Sequence, residues 1–115
     1  MPNFLYVFRG GALSSGALSP SEMQQHLVKW RTWIQALAKQ GHHLGGHAVQ
    51  RNGKSLRGQQ RTLSDGPYAE SKDLVTGNLV ISAASLDAAV ALARDCPIFE
   101  MDGSVEVRPI IDDVV

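Results

Sequence analysis

The side chains best suited by type and spacing to do chemistry cluster in Asp65-Gly66-Pro67-Tyr68-Ala69-Glu70-Ser71-Lys72. Asp-Gly-Pro is turn punctuation: Asp can bond its own backbone, Gly admits positive φ, and Pro fixes φ while removing a donor. A carboxylate at such a strand end can act as acid, base or anchor for a substrate hydroxyl, so Asp65 is a candidate for proton transfer. Its structural alternative is an Asx-turn bond to the N–H of Gly66 or Tyr68, since Pro67 has none. Histidine is the natural partner near neutral pH. His26 shares a helix flank with Trp30 and Trp33, at offsets of four and seven residues, and either lines an aromatic-walled pocket or edges the core. His43 and His47 are expected on one strand face, too far apart to share a metal unless a third ligand converges. No H-E-x-x-H, C-x-x-C or facial-triad spacing occurs, and no glycine pair has phosphate-loop spacing, so neither metal nor cofactor is expected.

Further along, Glu106 and Arg108 are same-face neighbours on a strand whose other face carries Val105 and Val107. They either form an ion pair with Glu70 or Lys72 that pins the turn, or present Arg108 to an enolate or carboxylate. Arg51, Lys54, Arg57 and Arg61 form a basic cluster without aromatic residues for base stacking. Charge that discourages strand addition at an exposed edge explains it without specific nucleic-acid binding. Lys plus Arg equals Asp plus Glu at 11 each, so no global field favours nucleic acid, an acidic substrate or an anionic membrane. The one cysteine, Cys96, can make no internal disulfide, and its place between a helix and Pro97 suits a packed thiol in a reducing compartment. The apolar run 4–8 is too short for a secretory signal and nothing elsewhere reaches a membrane span, so a soluble cytoplasmic protein is expected.

These groups must be positioned by the elements around them. Residues 3–9 read as a strand of aromatic and β-branched type. Ser19 as cap, Pro20 at the first helical position and Glu22 completing S-x-x-E start a helix, and Gly41 ends it. Its apolar stripe is read as Met23, Leu27, Trp30, Ile34, Leu37 and Ala38. A strand follows over 43–50, Asn52-Gly53 predicts a two-residue hairpin turn, and the returning strand covers 55–63. Residues 77–83 alternate, with Leu79, Ile81 and Ala83 on one side. Ser85 caps a second helix with the stripe Leu86, Ala89, Val90 and Ala93, Pro97 stops it, and 104–110 is the last strand. At 115 residues the chain is read as one domain, 1–115. The element order predicts an α+β sandwich of ferredoxin-like type with an extra hairpin strand. Its helices cover one sheet face, yet Phe4, Tyr6 and Phe8 point one way and Leu5 and Val7 the other. A second copy packed face to face, a homodimer, would cover the remainder.

Four segments in order resemble the YCII-related proteins, in the branch named for its D-G-P-F motif. They are residues 65–72, Ser85-Leu86-Asp87-Ala88-Ala89-Val90, Cys96-Pro97 and Gly103-Ser104-Val105-Glu106-Val107-Arg108-Pro109-Ile110. The N-terminal half fits more loosely, through Ser19-Pro20-Ser21-Glu22-Met23 and Trp30-Arg31-Thr32-Trp33-Ile34. Thr76-Gly77-Asn78 stands where the family usually has G-G-Y, so an aromatic commonly found there is missing. The resemblance implies a homodimeric α+β barrel whose cleft holds an acidic residue and a histidine. Asp65 with His26 or His47 are then the catalytic candidates, and Tyr68, Glu70, Arg108 and Trp30 the candidate contacts to a small-molecule substrate. Related domains include a dehydrochlorinase of chlorinated hydroxyquinols, in a different branch. The expected function is cofactor-free acid/base chemistry on an enolisable or hydroxylated compound. The alternative is a non-catalytic accessory or ligand-binding module, since genes of this branch resemble those often found beside extracytoplasmic-function sigma factors.

Overall fold

Strand β1, Asn3–Arg9, sets the frame because its alternation is strict: Phe4, Tyr6 and Phe8 are buried while Leu5 and Val7 between them are only half-buried. It lies between β5, Val75–Ser82, and β6, Ser104–Pro109, and β5 also pairs with β2, His43–Ala48. Every pairing is antiparallel, giving the sheet order β2-β5-β1-β6. Two helices, α1 Pro20–Lys39 and α2 Leu86–Ala93, pack on the face that carries Phe4, Tyr6 and Phe8. This is the α+β, ferredoxin-like arrangement expected from the element order. The computed structural model describes residues 1–12, 16–66 and 73–112.

Helix α1 is bounded as its end residues dictate. The Ser19 hydroxyl accepts from the Glu22 N–H at 3.2 Å and the Glu22 carboxylate accepts from the Ser19 N–H at 3.0 Å, a complete capping box. At the other end the Gly41 N–H donates to Ala38 O and the His42 N–H to Leu37 O. That double closure needs the left-handed φ of +82° that Gly41 supplies without a Cβ penalty. Between these ends the buried side differs from the stripe read in the sequence. It runs through His26, Trp33 and Leu37 with Trp30 and Ile34 beside it, whereas Leu27 and Ala38 are exposed. Two wide indoles over Phe8 and Tyr6 set the rotation: Trp33 stacks on Tyr6 at 6.1 Å and Trp30 meets Phe8 edge-on at 5.0 Å. The aliphatic positions do not.

The hairpin also differs. Asn52-Gly53 does not make the predicted turn, because Gly53 is not among the residues with the positive φ that a two-residue turn of that type requires. The chain turns instead over 58–61, with Gly58 at φ 72° and Arg61 at φ 54°, and the Arg61 N–H donates to Gly58 O at 3.1 Å. The expected single returning strand 55–63 is therefore two short strands, β3 Lys54–Arg57 and β4 Thr62–Asp65, paired with each other in a sheet of their own. Gly53 O accepts from the Gly66 N–H at 2.7 Å, so the Asn-Gly pair is the root of this arm. Leu56 and Leu63 sit opposite one another on it, 68% and 58% exposed. The standing arm accounts for a radius of gyration of 15.4 Å, against about 13 Å for a compact chain of this length.

Candidate functional site

Between α1 and the β2–β5 side of the sheet lies a cavity of about 240 Å³. Helix spacing supplies one wall, His26, Leu27, Trp30 and Ile34, and β5 supplies the floor from Thr76 to Leu79, with Phe8 and Ile98 closing the inner end. Two glycines thin the floor at the edge of the sheet. A Cβ on Gly46 would clash with the Asn78 carbonyl and stand 2.9 Å from Leu79 Cα, so only glycine lets β2 lie this close to β5. No Asp, Glu, Lys or Arg lines the cavity among the described residues. Its polar side chains on the helix side are His26, His43, the Trp30 indole N–H and Thr76, and the Thr76 hydroxyl is already committed to Gly10 O at 3.1 Å.

His26 is the buried ionisable group of this wall, 6% exposed. The Trp30 indole Nε1–H donates to its Nε2 at 3.0 Å, a contact that the i, i+4 spacing on one helix face makes possible. With Nε2 accepting, the neutral ring carries its proton on Nδ1. That nitrogen faces Glu100 Oε2 at 3.7 Å, and Lys29 Nζ holds both Glu100 oxygens at 3.2 Å. The result is a histidine with an acid behind it and an aromatic N–H in front, the order in which a general base is oriented by a carboxylate. Glu100 was not legible as a site residue: it follows Pro97-Ile98-Phe99 in a 3-10 helix, Pro97–Met101, with no motif around it, and only the fold brings it to His26.

The other candidates are dispersed. His43 and His47 both contribute to the cavity lining but do not share a strand face as expected, because β2 is irregular between His43 and Gly45. The extra residue shifts the phase, pairing His43 with Ile81 on the helix side and His47 with Asn78 on the other. Asp65 ends β4 on the arm, with a side chain 91% exposed and 3.5 Å from Lys54 Nζ, and it is not among the residues lining the cavity. Val105 and Val107 turn into the core on the helix side, whereas Arg108 lies on the sheet face opposite the helices. There Glu106 takes Arg9 on one oxygen at 2.7 Å and Arg108 on the other at 3.0 Å. The Arg108 hydrogen bond, aided by Arg9, holds the Glu106 carboxyl below the usual carboxylate range. The expected partners Glu70 and Lys72, and the candidate contact Tyr68, lie outside the described residues. Cys96 is buried as a packed thiol, and burial pushes it up to about 12, so it is no nucleophile at neutral pH.

Among the described residues no group of three or more His, Cys, Asp or Glu side chains could hold a metal ion. No helix among them is long and apolar enough to cross a membrane.

A sequence profile of the YCII-related domain matches residues 9–113. No curated protein sequence matches the chain at a significant level. Among solved structures, the chain is similar to a 5-chloro-2-hydroxyhydroquinone dehydrochlorinase from Burkholderia phenoliruptrix AC1100, in complex with 2,5-dihydroxybenzoquinone. That likeness covers 94% of this chain and 93% of the other, with a TM-score of 0.50 and 13% identity, and it concerns the fold.

Proposed function

The chain belongs to the YCII-related domain family, and on that footing we propose that it binds a small, uncharged, hydroxylated or enolisable molecule beneath α1 and moves a proton on it without a cofactor. The observation that carries this reading is His26: buried, lining the cavity, and oriented between Trp30 and Glu100. In this reading His26 Nε2 is the proton acceptor, Glu100 steadies the imidazolium that forms, and His43 is the further histidine on the same side. Trp30 forms part of the binding wall. We assign Asp65 to shaping the turn at the end of the arm, and Arg108 to the ion pair with Glu106, since neither lines the cavity. Tyr68 and Glu70 stay as candidate contacts on the strength of their motif alone. The lack of a charged cavity residue among those described also suits the second reading, a ligand-binding module without turnover.

The same proposal takes the D-G-P-Y-A-E-S-K segment as membership of the D-G-P-F branch. It takes the half-buried Leu5, Val7 and Val80 on the helix-free face as the seam of a homodimeric barrel. The single unpaired cysteine suits the reducing cytoplasm. A thermal-shift and turnover screen over hydroxybenzenes, enolisable ketones and 2,5-dihydroxybenzoquinone tests the site. We expect at least one to raise the melting temperature of the wild type and to turn over, with turnover lost and binding kept in His26→Gln. Binding without turnover would select the module; no melting shift with any compound would reject the cavity as a small-molecule site.

A further inference from the structure

Resting on the cavity reading, the geometry points to the Trp30–His26 hydrogen bond as a receptor for a single ligand hydroxyl, which inserts between the two side chains. Both side chains line the cavity, and the indole Nε1–H meets Nε2 at 3.0 Å. His26 is 6% exposed and Trp30 half-buried, so the acceptor of this pair has little access to bulk water. A buried donor and acceptor must be re-paired when separated, because leaving both unmatched costs more than the bond itself contributed. A hydroxyl meets that demand in one step: its O–H donates to Nε2 while its oxygen accepts from Nε1–H. An ether oxygen or a methyl does only half of this or none. The cavity adds no Lys, Arg, Asp or Glu among the described residues. The ligand class selected is therefore a neutral one-ring phenol or enol, not a carboxylate or phosphate.

The insertion also lays out the chemistry. Transfer of the hydroxyl proton to Nε2 breaks the O–H bond, forms N–H, and leaves the electron pair on oxygen as a phenolate or enolate. The Trp30 N–H then donates to that oxyanion, and the new imidazolium presents its Nδ1–H to the Glu100 carboxylate 3.7 Å away. The charged and titratable groups on the ring's side of the sheet are Glu100 from the 3-10 helix and Lys29 from its own helix, with His43 across the cavity; His47 contributes to the lining from a strand position that faces the other way.

The test uses phenol and toluene as size-matched probes on the full chain, followed by the indole 15N–1H signal of Trp30 and by affinity. In the wild type phenol should bind about tenfold more tightly than toluene, the equivalent of ~1.4 kcal/mol, and only phenol should move the Trp30 indole signal. Trp30→Phe keeps the aromatic wall without the donor, and His26→Phe removes the acceptor; each should bring phenol down to the affinity of toluene. Equal affinities in the wild type, or a phenol preference that survives in Trp30→Phe, would overturn the receptor while leaving an apolar ligand cavity in place. Failure of both probes to bind the wild type would overturn the receptor and the cavity reading together.

Discussion

The two faces of the main sheet are built from the same strands and have opposite chemistry. On the helix side, Phe4, Tyr6 and Phe8 meet Trp30 and Trp33, and the buried polar atoms are bonded internally: Tyr6 Oη to Ala89 O and Trp33 Nε1 to Leu92 O. On the other side, Leu5 and Val7 lie between Val80 and Asn78 on one flank and Arg108 and Glu106 on the other. One residue of phase along β6 separates Val105 and Val107, which enter the core, from the ion-paired Glu106 and Arg108. The lesson is that the ion-paired side chains of the sheet and the candidate ligand cavity lie on opposite faces. The charges neutralise one another on the helix-free face, while the histidine borders a cavity that no described charged residue lines, with the Glu100 carboxylate behind it rather than in the cavity.

Packing makes the largest difference between the faces. Trp33 is 8% exposed and touches Tyr6, Phe8 and Trp30, so Trp33→Ala should destabilise by about 3–5 kcal/mol through the cavity it leaves. Trp30→Ala should cost less, since its ring already borders empty space. Val7→Ala, on the helix-free face, should cost about 1 kcal/mol or less if that face meets only water. Urea denaturation at a fixed protein concentration ranks the three, and a Val7 loss as large as that of Trp33 would erase the contrast.

The next effect asks whether the helix-free face is bare. If a second copy covers it, the wild type runs as a dimer by light scattering at micromolar concentration. Val7→Asp, which puts a carboxylate in the seam beside Glu106, should then give a folded monomer by circular dichroism. A wild-type monomer would mean that the exposed apolar surface is merely tolerated and would remove the barrel from the proposal.

What was legible in the sequence was whatever a single element decides for itself. The capping box at Ser19 and Glu22, the Gly41 stop, the Ser85 cap and the alternation of β1 and β5 are local, and each holds in the structure. The His26–Trp30 neighbourhood was legible too, because offset four on a helix is geometry. The failures are where two elements settle a matter jointly. The bulge in β2, set by its pairing with β5, put His43 and His47 on opposite faces. The hairpin turn moved from Asn52-Gly53 to 58–61 because β3 finds its partner in β4 and not in β2. Glu100 reaches His26 across 74 positions, and no spacing rule spans that.

The smallest expected effect belongs to Glu106, and it has a definite sign. Its carboxyl is held below the ordinary range in the folded chain, by Arg108 and then Arg9. A carboxylate with a depressed folded-state pKa contributes stability that is fully present above its unfolded value, about 4.3, and is lost as pH falls through the folded value. Glu106→Gln should therefore lower the denaturation midpoint slightly at pH 7, and the two proteins should converge below that acid range. With both oxygens engaged at the surface the difference is modest, and added salt should shrink it. A Glu106 difference that persists in acid would place its role in packing, and the two faces would no longer divide by charge.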